Sequence, residues 1–251
     1  MKSRISRKLL QDKLSFEEAK QLQIKYSAYS SKINAKSKNY LSKEQIQIIA
    51  AVDVAYFIKD GKEWGLACIV FWDRIQNRIL ETNFAIHQIT FPYKAGFLGF
   101  REARVISSAL ETAKSTPNLL ICDGHGVIHP RSFGEAVHLG FALNIPSFGI
   151  AKNPYIGYYD HQSFERIKGN KRPILERNSS ENDSTNKKLG YYICLADARK
   201  PVFVSVGYKI NLETTVQISM ELTTNHRQPE PLYLADKLSK EKVQGNYRMK
   251  R

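Results

Sequence analysis

Cysteine is scarce in this 251-residue chain, and the three present, Cys68, Cys122 and Cys194, lie far apart, each in an apolar run. They read as buried thiols, because neither a disulfide framework nor a cysteine-ligated zinc site has the paired spacing it needs. Long apolar runs are missing as well. None approaches the ~20 residues of a membrane span, and the opening M-K-S-R-I-S-R-K-L-L-Q-D-K lacks the apolar stretch of a secretory signal. The expectation is a soluble cytoplasmic protein with no membrane partner. Acidic residues are outnumbered, 24 against 38 lysines and arginines, for a formal net charge of +14. Such an excess suits a polyanion, whose condensed counterions are released when phosphates are neutralised. Residues 1–13 carry +4 and residues 237–251 carry +5, so most of the excess lies at the ends, which read as mobile basic tails.

The 42% hydrophobic and 25% charged residues are those of a globular chain, and the length suits one domain. Ser15 followed by Glu17 and Glu18 signals a helix start. From Ile46, I-Q-I-I-A-A-V-D-V-A-Y-F-I is apolar on both faces and predicts a central strand. The K-D-G-K turn at 59–62, then W-G-L-A-C-I-V-F-W and R-I-L-E-T-N-F-A-I-H-Q-I, predict a three-strand antiparallel meander. Helical spacing over F-L-G-F-R-E-A-R-V-I-S-S-A-L-E-T-A precedes a short strand N-L-L-I-C, a helix around Phe133–Leu143 and the strand S-F-G-I-A. The polar stretch 169–188 reads as a surface loop. Strands at Leu189–Leu195 and Pro201–Tyr208 and helices near Leu212–Leu222 and Leu232–Leu238 follow. The pattern is a mixed α/β sheet with flanking helices.

Asp53 stands out, because an ionised carboxylate inside an apolar strand costs several kcal/mol unless something compensates it. Asp123 ends a second apolar strand and opens I-C-D-G-H-G-V-I-H-P-R-S-F-G-E-A-V-H-L-G, where functional loops of open α/β sheets lie. Two acids on inner strands repel each other unless a divalent cation sits between them. Glu102 is the candidate third acid, against the alternative of a solvated helix face paired with neighbouring arginines. Oxygen ligands alone suit Mg²⁺, with Mn²⁺ a possible substitute. His125 and His129 have i, i+4 spacing, but Gly126 and Pro130 argue against the helix that a histidine zinc site would need. His138, within a predicted helix, reads as a packed residue or one that supports the site's ligands from behind.

Five blocks in order carry a resemblance: A-V-D-V-A-Y around Asp53, P-Y-K-A-G-F-L-G-F-R-E ending at Glu102, D-G-H-G-V-I-H-P-R-S-F-G-E-A-V-H-L-G from Asp123, P-S-F-G-I-A-K ending at Lys152, and P-E-P-L-Y-L-A-D ending at Asp236. From about Ile48 to Asp236 the chain resembles the endonuclease V family. The resemblance implies an RNase H-like sheet and Mg²⁺-dependent cleavage of inosine-containing DNA or RNA at the second phosphodiester bond 3′ to inosine. It implies that Asp53, Glu102, Asp123 and Asp236 are metal-binding positions, with Lys152 near the scissile phosphate. Gly96 to Leu98 and Gly124 to Gly126 match the backbone of a base pocket, and Tyr93 matches a wedge that replaces the extruded base.

The chain departs from the family at Lys94 and Ala95, where Ile-Pro is usual, so a less rigid wedge loop is expected. Tyr208 and Tyr233 also replace a frequent histidine and arginine. No protein partner is indicated and a monomer is the default. Two other readings remain: a module that binds inosine nucleic acid with little cleavage, and a different RNase H-like nuclease. The clustered acids argue against the first, and the glycine pocket with Tyr93 against the second.

Overall fold

Alternate residues of β1 (Ile48–Lys59) enter two separate cores, which is what its two-faced apolar pattern requires. Ala50, Val52 and Val54 pack towards α3 (Leu98–Glu111) and α4 (Glu135–Leu143). Ile49 and Ala51 lie in the core shared with α5 (Leu212–Glu221) and α6 (Glu230–Asn246). The computed structural model describes residues 4–35, 40–176 and 187–246, which form a helix–sheet–helix sandwich.

The meander is present as expected. β1 pairs antiparallel with β2 (Lys62–Asp73), and β2 with β3 (Arg78–Gln88). Asp60 and Gly61 close the first hairpin at φ of 52° and 69°, the left-handed pair that a two-residue turn between right-twisted strands demands. β1 then pairs in parallel with β4 (Leu119–Cys122), and β4 in parallel with β5 (Ser147–Ala151). Three antiparallel strands complete the sheet: β6 (Lys171–Leu175), β7 (Lys188–Ile193) and β8 (Val202–Tyr208). The order across the sheet is β3-β2-β1-β4-β5-β8-β7-β6.

Two expectations change. Within 169–188, residues Lys171–Leu175 are a strand rather than loop, and Ile174 is fully buried. Pro173 hides this strand in the sequence, yet β6 is at the sheet edge, where a missing N–H donor is tolerated. Residues 177–186 of that segment lie outside the described residues. The basic ends are also largely structured where described. Leu232, Ala235, Ser239 and Val243 form a buried stripe that carries α6 through to Asn246, with its lysines on the other face. At the front, α1 (Arg4–Leu9) ends on fully buried Leu9. A charge count does not register such stripes.

Helix α2 (Phe16–Asn34) starts with a complete capping box, in which the Ser15 hydroxyl accepts from the Glu18 amide and the Glu18 carboxylate accepts from the Ser15 amide. It rests on α4 through a cluster rich in phenylalanine, including Phe91, Phe97, Phe100 and Phe133. The loops before α3 and α4 both emerge from that cluster.

Candidate active site

Register brings the first two acids together. Val52 of β1 lies beside Cys122 of β4 in the parallel pair, so the next residues, Asp53 and Asp123, occupy neighbouring positions. Helix α6 lies against β1 and adds Asp236. Ligand oxygens of Asp53, Asp123 and Asp236 all fall within 4.8 Å of one another. Lys152, just after β5, brings its Nζ to 2.6 Å from Asp123 Oδ2 and 3.5 Å from Asp236 Oδ1. Lys240, one turn along α6, donates to Asp236 Oδ1 at 2.6 Å.

Two further carboxylate oxygens of the group are held by neutral donors. Ser239 Oγ donates to Asp53 Oδ2 at 2.6 Å, and Gln228 Nε2 donates to Asp123 Oδ1 at 3.1 Å. Burial raises the Asp53 pKa to about 6; the Ser239 hydrogen bond opposes this, while the charges of Asp123 and Asp236 add to it. Burial also works against the Lys152 ammonium, but the surrounding carboxylates outweigh it and hold that pKa above the ordinary lysine value. Three hard oxygen donors that repel one another, each pinned by a second contact, fit a divalent cation.

Glu102 is not part of that three-acid group. It is buried on the α3 side, where its Oε1 accepts from Tyr56 Oη at 2.6 Å and its carboxyl pairs with that of Glu135 at the start of α4. Burial raises both carboxyl pKa values, and the charges of Asp53 and Asp123 reach both. Glu135 Oε2 has no hydrogen-bond partner.

A cavity of about 400 Å³ opens beside Asp123 and Lys152. Tyr93, Gly96, Leu98 and Gly124 line it, as does Glu135. Tyr93 stands at the surface, 78% exposed, with the Arg101 guanidinium 5.7 Å from its ring centre. Gly96 has φ +84°, and a Cβ there would lie 2.7 Å from Tyr155 Oη. A Cβ on Gly124 would lie 2.1 Å from Glu135 Oε2. Gly126 is elsewhere: it packs against β8, where a Cβ would meet the Val206 carbonyl oxygen at 2.0 Å.

The histidines turn away from the acids. Nε2 of His125, His129 and His138 donates to the carbonyls of Asn153, Gly96 and Leu9 respectively. Burial lowers all three pKa values to about 4, which keeps the rings neutral. Among the described residues no histidine joins a group with metal-binding spacing. Tyr208 is buried, and Tyr233 stacks on His226 at 3.6 Å beside the loop that carries Gln228.

Several partners in the site escape a reading of the sequence. Glu135 has a signal of the kind that revealed Asp53, a charge within the apolar helix E-A-V-H-L-G-F-A-L. Ser239, Gln228 and Tyr56 have none, since each acts through a contact between distant segments.

A family model described as Endonuclease V matches residues 28–237. An endonuclease V of Rippkaea orientalis is 34% identical over 230 residues, 91% of this chain and 91% of its own. One from Dictyoglomus thermophilum is 36% identical over 198 residues, 78% of this chain and 80% of its own. Among solved structures, endonuclease V of Bacillus subtilis superposes with a TM-score of 0.81 at 28% identity, covering 94% of this chain and 96% of its own. Ciona intestinalis endonuclease V, bound to a 23mer DNA containing an inosine followed by a ribo-adenosine, superposes with a TM-score of 0.75 at 26% identity, covering 92% and 99%. The sheet is thus of the RNase H-like kind.

Proposed function

The chain belongs to the endonuclease V family of nucleases, and we propose that it cuts inosine-containing DNA or RNA at the second phosphodiester bond 3′ to inosine, leaving 3′-hydroxyl and 5′-phosphate ends. The carrying observation is that Asp123, a member of the three-acid group, is followed directly by Gly124 in the wall of the cavity. One loop therefore joins a place for an extruded base to a place for a phosphate. Repair of deaminated adenine, or processing of inosine-containing RNA, by a cytoplasmic monomer is the corresponding role.

Asp53, Asp123 and Asp236 are assigned to Mg²⁺, for which Mn²⁺ can substitute, and Glu102, buried on the α3 side within electrostatic reach of Asp53 and Asp123, adds negative charge to the site when ionised. When bound, the cation supplies Lewis acidity, lowering the pKa of coordinated water and offsetting charge on the leaving oxygen. The protein does the rest by position. Ser239 and Gln228 fix two of the carboxylates, and the Lys152 ammonium offsets negative charge that builds on the phosphate. Tyr93 fills the gap left in the base stack, where stacking is worth roughly 1–3 kcal/mol.

The test uses matched oligonucleotides with adenine or inosine at one position, as DNA and RNA, single- and double-stranded, with Mg²⁺ or Ca²⁺. Cleavage only of the inosine strands, with product ends mapping to the second bond, is the expected result. Equal cleavage of adenine and inosine strands overturns it.

A further inference from the structure

The loop from Pro92 to Phe97 carries Tyr93 and one wall of the cavity, yet its own backbone supplies little to hold it. Lys94 and Ala95 leave it without a proline between Tyr93 and Leu98, and Gly96 adds the widest conformational freedom of any residue. What holds it is a set of side chains from elsewhere. Three donors converge on the single carbonyl oxygen of Gly96: Gln23 Nε2 at 2.9 Å, His129 Nε2 at 3.0 Å and Arg131 Nη2 at 3.0 Å. His129 and Arg131 belong to the loop that follows Asp123. Gln23 does not; it comes from α2, 73 residues before its acceptor.

Gln23 is the residue that ties the rest together. It lies on the inward face of α2 with Ala19, Tyr26 and Ser30, and is only 2% exposed. The same Nε2 also donates to the Phe133 carbonyl at 3.3 Å, next to Gly134 in the opposite cavity wall. Its Oε1 accepts from Arg131 Nε at 2.6 Å, which orients that guanidinium towards Gly96. One amide therefore spans the two loops that flank the cavity and fixes the arginine that also holds one of them. Because α2 is capped at Ser15 and packed on the phenylalanine cluster, the amide is mounted on a rigid support.

We propose that Gln23 is a positioning residue for substrate reading: helix α2 sets the spacing of the cavity walls and the placement of Tyr93 through this one amide. The proposal rests on the reading of the cavity as a base pocket. A buried amide is suited to the task because it presents donor and acceptor together, and removing either strands a buried polar partner.

The experiment compares wild type, Gln23→Met and the isosteric Gln23→Glu. Glutamate keeps the acceptor for Arg131 and the volume, but loses the donor to Gly96 and Phe133. Cleavage of single-stranded inosine oligonucleotide gives kcat and KM, and hydrogen exchange follows amides 93–97 and 131–134 in the free protein. In both variants KM should rise roughly ten-fold with kcat within about three-fold, since a loosened pocket binds less well while the acids are untouched. Exchange at 93–97 should quicken while α3 beyond its first turn stays protected. Wild-type KM with wild-type exchange at 93–97 in either variant overturns the proposal, as does loss of kcat alone. If Gln23→Met does not fold, Gln23→Glu carries the test. Should wild type itself fail to prefer inosine over adenine, the base-pocket reading falls, while the exchange result still reports whether Gln23 holds the loop.

Discussion

Lys152 Nζ lies 2.6 Å from Asp123 Oδ2, so the site carries its own counter-cation against the carboxylate cluster. On the proposed reading the lysine has two separable effects: it offsets phosphate charge, and it neutralises the acids assigned to the metal. Lys152→Met should lower kcat about 10²–10³-fold, the usual loss for one charge-stabilising donor. Mn²⁺ binding, followed by calorimetry, should be unchanged or tighter. Weaker Mn²⁺ binding would show that the lysine instead shapes the ligand set.

Asp53 makes the metal-free protein sensitive to pH in a direction that can be worked out. Its pKa is raised by burial to about 6 from an ordinary 3.8. The folded state therefore favours the protonated acid, and this stabilisation, complete below about pH 4, is lost as pH rises through about 6. Two pKa units correspond to at most about 3 kcal/mol. Without divalent ions, Asp53→Asn should melt progressively higher than wild type between about pH 4 and pH 6.5, with the gap level above that, and saturating Mg²⁺ should shrink the gap. A gap that stays constant across about pH 4 to 6.5 would contradict the assignment.

Gly124 and Gly126 should fail for different reasons. At Gly126 a Cβ meets the backbone of β8, which cannot move aside, so Gly126→Ala should destabilise by several kcal/mol. At Gly124 the obstacle is the tip of the Glu135 side chain. Gly124→Ala should fold, lose most inosine cleavage, and recover part of it when combined with Glu135→Ala. Thermal melts and cleavage rates of the three variants decide the matter, and absence of any rescue would remove Glu135 as the obstacle.

Tyr93 is exposed and holds no acid, so Tyr93→Ala should leave stability within about 0.5 kcal/mol of wild type. Its cost should fall mainly on duplex substrates, whose bases must be unstacked, with inosine single strands cut at near wild-type rates. A fluorescent base analogue next to inosine would report extrusion directly. Equal losses on both substrates would argue against a wedge.

Much of the site was legible before the fold. Asp53 betrays itself as a lone charge in an apolar strand, and Asp123 as a carboxylate where a strand gives way to glycine, because burying charge without cause is costly. Asp236 came only through the resemblance, being one charge among many on an amphipathic helix. Glu102 shows the limit of residue-type reasoning. In the sequence it reads equally as a solvated helix face beside arginines, and only packing reveals that it is buried, that its carboxyl meets Tyr56 and Glu135 and that it lies outside the three-acid group.

Local patterning by itself determined the meander, the buried central strand and the start of α2, since two-residue turns, two-faced strands and helix-start signals are rules over a few neighbouring residues. Tertiary structure alone decided that basic residues 237–246 belong to a packed helix, that Pro173 sits in an edge strand, and that Gln23 reaches Gly96. Each of these depends on a partner dozens of residues away. A chain records such a partner's identity, but its position exists only after the sheet and its layers have formed.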